Sequence, residues 1–284
     1  MTFAVLGATG GQGGAVVRAL LSRGQAVRAL TRRPESAAAL ALAREGVEVV
    51  QADLDHPESL PPALRGCSGV FSVQDFYAPG VGLAGEIRQG RALIAAARSA
   101  GVPHIVQSTM GDGRTPGGPA HFLSKAVLEQ DLRKSGLGWT FLGTVWFLDN
   151  LLNPAMHPSL IFPVLSGSLE PSTPFQMLAL EDLGWVAAEA LGNPDAWVGR
   201  KINLAGDVLS VVQMKHAYRQ AAGRRPKSWS MPAPLFRRMA PEFAAQLKWH
   251  NEVGFAFDAK PLRGLKPYAR TFFGFIEEAG IRTL

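Results

Sequence analysis

The sequence contains little cysteine, few charged residues and no long apolar segment. Its 284 residues include a single cysteine, Cys67, which excludes a scaffold stapled by disulfides. No segment reaches the roughly 18 uninterrupted apolar residues of a membrane-spanning helix, and no basic segment precedes the first apolar run as in a secretory signal. A lone thiol without an export signal is typical of the reducing cytoplasm. We therefore expect a cytoplasmic protein that has no membrane partner.

Several function classes lack their residue patterns. Basic residues outnumber acidic residues by 29 to 23, but they are scattered and form no block of like charges, which disfavours a nucleic-acid partner. The histidines form no metal-ligand spacing with cysteine or carboxylates, so no metal site is expected. No Gly-x-Ser-x-Gly segment is present for a hydrolase nucleophile. Hydrophobic residues still make up 47% of the chain, which excludes a disordered protein.

The first half of the chain alternates short apolar runs with helical patterns. The strand-like runs occupy residues 2–6, 25–31, 47–51, 69–73, 104–108 and 139–142. The helical patterns between them occupy residues 12–23, 34–45, 57–64, 84–100 and 120–135. This alternation predicts βαβ units in an α/β fold, with a Rossmann-type, doubly wound parallel sheet.

Beyond residue 145 the pattern changes, because five prolines between residues 154 and 174 predict loops and short strands. A helix and a strand return within residues 181–205, and the remainder is helical and irregular. We predict a Rossmann domain made of residues 1–145 and 181–205, and a smaller, mostly C-terminal lobe made of residues 146–180 and 206–284. Such a lobe is expected over the carboxyl ends of the strands, where open α/β sheets bind ligands.

A glycine-rich loop joins the first strand to the first helix. Gly7, Gly10 and Gly13 have the spacing of a dinucleotide-binding loop, which needs a tight turn, a close backbone approach to pyrophosphate and a close helix-to-sheet contact. The helix N-terminus then presents N–H groups and the positive end of its dipole to the phosphates. This context predicts that the loop binds a nucleotide cofactor. The other loop residues expected to contact the cofactor are Thr9, Gly11 and Gln12.

The end of the second strand indicates which dinucleotide binds. Sites that prefer NAD place an acidic residue there to hold the ribose 2′-hydroxyl, but this sequence has Thr31, Arg32 and Arg33. A guanidinium holds a 2′-phosphate with two charge-assisted hydrogen bonds, whereas a carboxylate repels it. We therefore predict NADP(H) as the cofactor. Either arginine fits this role, and Thr31 adds a hydroxyl.

These residues resemble the short-chain dehydrogenase/reductase superfamily in its atypical branch and, within it, the NmrA-like family. The resemblance rests on residues 7–14, 31–34, 121–125 and 147–152, and it covers residues 1 to ~205 much better than the remainder. It implies that Asp53 and Leu54 contact the adenine, that Ser108 is a catalytic serine and that Lys125 holds the nicotinamide ribose. The family includes redox-sensing regulators that bind NADP(H) without turnover and NADPH-dependent quinone reductases, so the fold does not decide the activity.

The sequence departs from the superfamily at position 121, where His121 replaces the catalytic tyrosine. The imidazole is either a substitute general acid, because it titrates near pH 6.5, or a residue that packs at the start of a helix. Gln74 and Phe76 follow the fourth strand and are expected to border the nicotinamide, the first as a cofactor contact and the second as a substrate contact. In the same loop, Phe76 or Tyr77 either stacks on a ring of the bound molecule or closes the loop over apolar surface. The resemblance places Phe147 and Asn150 in the substrate cleft.

Two functions therefore stay open. The first is an NADPH-dependent reductase of a quinone-like or other conjugated small molecule, in which Lys125, His121 and Ser108 orient the substrate or move a proton. The second is a non-catalytic NADP(H) sensor that regulates a partner protein, which the missing tyrosine favours. We prefer the reductase, because the superfamily is mainly catalytic and both a histidine and a lysine remain at the expected nicotinamide site.

Overall fold

The chain divides into two compact units in the computed structural model, which describes residues 1–111, 118–226 and 231–281. The first, here called the sheet unit, comprises Met1–Met110, His121–Gly143 and Leu183–Ile202. The second, here called the C-terminal unit, comprises Gly111–Ala120, Thr144–Asp182 and Asn203–Leu284. Two assignments from the sequence stay a prediction. They are a Rossmann domain made of residues 1–145 and 181–205, and a smaller lobe made of residues 146–180 and 206–284.

The strands form two sheets. In chain order they are β1 (Thr2–Leu6), β2 (Ala26–Thr31), β3 (Glu48–Gln51), β4 (Gly69–Ser72), β5 (His104–Met110), β6 (Gly138–Thr144), β7 (Trp146–Phe147), β8 (Phe175–Leu178), β9 (Arg200–Asn203) and β10 (Asp207–Leu209). The larger sheet has the order β3-β2-β1-β4-β5-β6-β9, and its pairings from β3 through β5 are parallel. This is the order of a doubly wound Rossmann-type sheet, which confirms the predicted fold class.

The helices alternate with the strands in the first half of the chain and dominate its end. They are α1 (Gly11–Leu21), α2 (Ala37–Arg44), α3 (Leu60–Leu64), α4 (Gly82–Ala100), α5 (Ala120–Arg133), α6 (Pro158–Ser168), α7 (Leu180–Gly192), α8 (Pro194–Trp197), α9 (Val211–Ala222), α10 (Ala233–Met239), α11 (Pro241–Glu252), α12 (Lys260–Leu265) and α13 (Phe272–Glu278). Among the described residues, no helix is both long enough and apolar enough to cross a membrane.

The core of the sheet unit lies on the strands predicted from their apolar runs. All seven residues of β5 are buried, as expected for a strand covered by helices on both faces of a parallel sheet. Leu93 and Ala97 on α4 pack with Ile105 and Phe141 in one apolar cluster beside the sheet. α4 ends at Gly101, whose φ of +72° favours glycine, so the helix stops where the sequence predicts.

The C-terminal unit is built around aromatic side chains. Its smaller sheet has the order β10-β8-β7, with β8 antiparallel to β10 and parallel to β7. Phe162, Phe175, Tyr218 and Phe272 are fully or almost fully buried in its core, and Tyr218 and Phe272 each contact Phe162 edge to face. These residues are far apart in sequence, so the core of this unit depends on long-range packing.

The prediction of loops and short strands after residue 145 is wrong for α6. This helix spans Pro158–Ser168 and contains Pro163, which lacks the N–H that would complete a helical hydrogen bond. Pro158 stands in the first turn, where proline is tolerated, and the helix buries Ile161, Phe162 and Leu165. Packing of this apolar face offsets the helix-breaking effect of Pro163.

Candidate functional site

The glycine loop after β1 forms an open turn at the start of α1. Gly7 has a φ of +63°, and its carbonyl accepts a 2.8 Å hydrogen bond from the N–H of Gly10. A Cβ atom on Gly13 would lie 2.3 Å from the Gly7 oxygen, so only glycine lets α1 begin this close to the strand. The first turn of α1 has no acidic residue and no side-chain cap. Its N–H groups can therefore meet an anion.

A groove of about 190 Å³ lies beside this loop in the sheet unit. Eight of the predicted cofactor contacts line it: Gly7, Thr9, Thr31, Arg32, Arg33, Asp53, Leu54 and Gln74. The other predicted loop residues, Gly10, Gly11, Gln12 and Gly13, form the turn and the start of α1. The structure thus brings together residues from the ends of β1, β2, β3 and β4, as the carboxyl ends of parallel strands require.

One end of the groove carries two exposed guanidinium groups. Among the described residues, neither Arg32 nor Arg33 has a carboxylate partner within 4.0 Å. The Thr31 hydroxyl accepts a 3.2 Å hydrogen bond from the backbone N–H of Arg33, which fixes the turn after β2. Ser36, which the sequence reasoning missed, also lines the groove and caps α2 through a 3.3 Å hydrogen bond from the Ala39 N–H. Its position just before a helix was the available signal.

The carboxylate of Asp55 contacts Gln89, a residue that lines the groove. Arg88 donates to Asp55 at 2.8 Å and Gln89, which lines the groove, donates to its other oxygen at 3.0 Å. The hydrogen bond from Arg88 is the main reason that the pKa of Asp55 is lowered, with smaller contributions from Gln89 and from the charge of Arg32. Asp55 therefore stays ionised and holds Gln89 against the groove.

A buried polar network that includes the groove residue Gln74 joins the end of β4 to the middle of β5. The Ser72 hydroxyl donates to the Gln107 side-chain oxygen at 2.6 Å, and Gln74 donates to the Ser72 hydroxyl at 2.9 Å. Gln107 donates in turn to Gln74 at 3.1 Å and to the Ser108 carbonyl at 2.8 Å. The Ser108 hydroxyl donates to Gln12 at 2.6 Å. The network orients Gln74 and joins the glycine loop to β5. The hydroxyl hydrogen of Ser108 is directed at Gln12 in this arrangement.

Lys125 on α5 is held by a buried carboxylate. Its ammonium donates to Glu86 on α4 at 2.7 Å, and Ser124 donates to the other oxygen of this fully buried glutamate. The sequence reasoning missed Glu86. Glu86, Gly90, Leu93 and Ala97 share one buried face of α4, so a glutamate on an apolar stripe was the available signal. The carboxylate restricts the lysine side chain to one orientation.

His121 lies at the start of α5 among aromatic side chains. The hydroxyl of Tyr77 is 3.5 Å from its Nδ1, and the ring centroid of Phe76 is 5.6 Å from that of the imidazole. Phe122 contacts the imidazole edge to face at 4.7 Å. Both interpretations of His121 remain compatible with this packing. The structure brings Tyr77, one of the two aromatic residues expected at this loop, next to the imidazole.

The two remaining predicted substrate residues lie in the C-terminal unit. Phe147 pairs with Leu178 between β7 and β8. Asn150 lies in the 3₁₀ helix Leu148–Leu152, which is fixed because the Asp149 carboxylate accepts a 2.8 Å hydrogen bond from the Leu180 N–H. Their contact with a substrate stays a prediction. Among the described residues, no group of three or more histidine, cysteine, aspartate or glutamate side chains could hold a metal ion.

Comparison with known proteins shows the family to which the chain belongs. A model of the NmrA-like family matches residues 1–260 of the chain. The NAD(P)H azoreductase of Xenophilus azovorans is 31% identical over 226 residues, which cover 78% of this chain and 73% of that protein. The triphenylmethane reductase of Citrobacter sp., solved with NADP(H), has a TM-score of 0.82, 21% identity and coverage of 98% of this chain and 100% of its own. The negative transcriptional regulator NmrA, solved with NADP, has a TM-score of 0.77, 23% identity and coverage of 98% of this chain and 94% of its own.

Proposed function

Because the chain belongs to the NmrA-like family, we propose that it is an NADPH-dependent reductase of quinone-like or other conjugated small molecules. The observation that carries this proposal is the groove beside the glycine loop, where Arg32 and Arg33 have no carboxylate partner among the described residues. The azoreductase relative supports the reductase class, since an azo group is a conjugated acceptor.

The residues of the groove fit the phosphorylated half of NADP(H). A Cβ atom at Gly13 would fill the space in which the loop and helix meet, and the N–H groups of the first turn suit a pyrophosphate. Arg32 or Arg33, with Thr31 and Ser36 beside them, would hold the 2′-phosphate. Leu54 and Asp53 would contact the adenosine. When bound, the reduced dinucleotide supplies a hydride to the acceptor.

The chain itself would orient the reacting groups. Lys125 has two ammonium hydrogens left beyond the one directed at Glu86, and these suit the hydroxyls of a ribose. Glu86 is a positioning residue in this arrangement, because it contacts Lys125 and is itself fully buried. Gln74 is fixed by the buried polar network and presents a defined polar edge to the cofactor. Phe76 would border the acceptor.

A second candidate function is a non-catalytic NADP(H) sensor that regulates a partner protein. The observation that favours it is His121 in place of the superfamily's catalytic tyrosine. Similarity in fold to the regulator NmrA is compatible with this function. In a sensor, the bound and free states, or the oxidised and reduced states, must differ in their affinity for the partner.

Cofactor binding is tested by calorimetric titration of NADPH and NADH into the wild-type protein and three arginine variants. We expect at least one of the two single variants, Arg32→Ala and Arg33→Ala, to weaken NADPH binding about 10–100-fold, which corresponds to losing one charge-assisted contact. NADH binding should stay unchanged. Arg44→Ala is the matched control, because Arg44 is exposed at the end of α2 and does not line the groove. Equal weakening for both dinucleotides would refute the phosphate role.

Catalysis is tested by following NADPH consumption with a panel of quinones, azo dyes and aldehydes. We expect turnover with the conjugated acceptors, and a large loss of turnover in Lys125→Ala. Tight NADPH binding without turnover of any acceptor would refute the reductase and leave the sensor. Turnover that Lys125→Ala abolishes would refute a purely non-catalytic sensor.

A further inference from the structure

The hydroxyl of Tyr77 lies near the imidazole of His121, the residue that replaces the superfamily's catalytic tyrosine. The sequence has three tyrosines, and Tyr77 is the one within the sheet unit. It lies between β4 and α4, and its hydroxyl is 3.5 Å from Nδ1 of His121, with the two ring centroids 5.7 Å apart. This separation is the outer limit of a hydrogen bond, and such contacts often shorten when a substrate binds.

The two rings differ in their access to a ligand. Tyr77 is 63% exposed, whereas His121 is 5% exposed. A small molecule can therefore reach the phenol, while the imidazole lies behind it against Phe76 and Phe122. If one of the two gives a proton directly to a substrate, this difference in exposure assigns that role to Tyr77.

The segment that carries Tyr77 also borders the cofactor groove. Asp75 and Ala78, on either side of Phe76 and Tyr77, line the groove. The Asp75 carboxylate accepts a 3.1 Å hydrogen bond from the Tyr77 N–H, and its carbonyl accepts one of 3.2 Å from Ala78. These bonds fix the turn, and Phe76 packs edge to face on the Tyr77 ring at 5.3 Å. The turn that carries Tyr77 is thus fixed at the edge of the groove.

We propose that Tyr77 is the proton donor of this reductase and that His121 is the positioning residue that orients the phenol through Nδ1. The inference rests on the proposed function. With an azo acceptor, the hydride from the reduced dinucleotide forms a bond to one nitrogen and the phenolic proton forms a bond to the other. The N=N π bond breaks, and a hydrazine forms. The phenolate regains a proton directly from solvent, to which Tyr77 is exposed, so the balance is one NADPH and one proton consumed per azo group reduced.

The experiment compares two acceptors that differ in their need for a proton. An azo dye takes up a hydride and a proton, whereas a cationic triphenylmethane dye becomes its neutral form by taking up a hydride alone. We expect Tyr77→Phe to lower the ratio of azo to triphenylmethane turnover about 100-fold, the usual contribution of a general acid. His121→Asn should lower the same ratio. The control Tyr268→Phe removes a hydroxyl from an almost fully exposed tyrosine and should leave the ratio unchanged.

A second readout uses the azo dye alone. In Tyr77→Phe, proton delivery becomes slower than hydride transfer, so the solvent deuterium isotope effect on kcat should rise and the effect of deuterium on the nicotinamide should fall. An unchanged ratio, or rates that fall equally for both dyes together with unchanged isotope effects, would overturn the proton-donor role. Failure of the wild-type protein to reduce any acceptor would instead overturn the proposed reductase, and the proton donor with it.

Discussion

The sheet unit and the C-terminal unit bury their polar groups in different ways. In the sheet unit, Ser72 at the end of β4 is paired with Gln107 in the middle of β5, and both bond Gln74, which follows β4, so the sheet order brings them together. In the C-terminal unit, the fully buried Asp182 accepts 2.6 Å from Lys266 and 2.9 Å from the Arg270 N–H, across more than 80 residues of sequence. The first arrangement shapes a binding groove, whereas the second joins distant segments.

The largest expected effect comes from breaking the long-range contact in the C-terminal unit. Asp182→Ala leaves the largely buried Lys266 ammonium and the Arg270 N–H without their main acceptor. We expect the free energy of unfolding to fall by about 3–5 kcal/mol, measured by urea denaturation. Glu181→Gln is the control, because Glu181 contacts the Lys266 ammonium and the Arg270 guanidinium but is mostly exposed, and its loss should cost less than about 1 kcal/mol. Equal losses for the two variants would contradict the importance of the buried contact.

A smaller expected effect is the pH dependence of stability, to which one buried histidine in each unit contributes. Burial lowers the pKa of His104 in the sheet unit and of His250 in the C-terminal unit from 6.5 to about 4. At pH values above 6.5 both imidazoles are neutral in the folded and the unfolded chain. As pH falls from there to about 4, the unfolded chain binds protons that the folded chain does not, so stability decreases.

We expect each histidine to remove about 2–3 kcal/mol of stability between about pH 7 and about pH 4.5. His250→Phe should therefore abolish about half of this pH dependence, and the phenyl ring should replace the imidazole against Phe175 and Phe255. Urea unfolding at the two pH values measures this change in the free energy of unfolding. His56→Gln is the control, since His56 is exposed. An unchanged pH dependence in His250→Phe would show that this histidine titrates normally.

The smallest expected effect concerns two serines that cap helices, of which only one lines the groove. Ser36 caps α2 and lines the groove, whereas Ser210 caps α9 in a reciprocal pair with Gln213. We expect Ser36→Ala and Ser210→Ala each to cost about 1 kcal/mol in urea unfolding. Only Ser36→Ala should also weaken NADPH binding, by several-fold, in calorimetry. A loss of NADPH affinity in Ser210→Ala would mean that binding depends on overall stability rather than on the serine hydroxyl.

The sequence predicts the sheet unit well because its signals are local. Alternating periods locate β1 to β6, and the spacing of Gly7, Gly10 and Gly13 locates the turn at which the groove begins. The resemblance to the NmrA-like family is confirmed by the match over residues 1–260. Glu86 was missed, because its significance depends on α5, an element that follows it in the chain and contacts it only after folding. The contact between Tyr77 and His121 on α5 was missed for the same reason.

The C-terminal unit was harder to predict because its stability comes from contacts between distant segments. Pro163 suggests a loop, but α6 forms since its apolar face is buried against residues that lie far along the chain. Gln176 donates to the carbonyls of Phe255 and Phe257, and no local pattern reveals such a contact. Local propensity therefore fails where tertiary packing decides the structure.

The hydrogen bond from Ser108 to Gln12 joins positions 96 residues apart and holds the glycine turn in place without any ligand. A loop that is already ordered loses little conformational entropy when it captures a molecule, so more of the contact energy appears as affinity. Affinity for the dinucleotide and choice of acceptor can then change independently during evolution, because substitutions that select a new acceptor do not have to alter the ordered glycine turn.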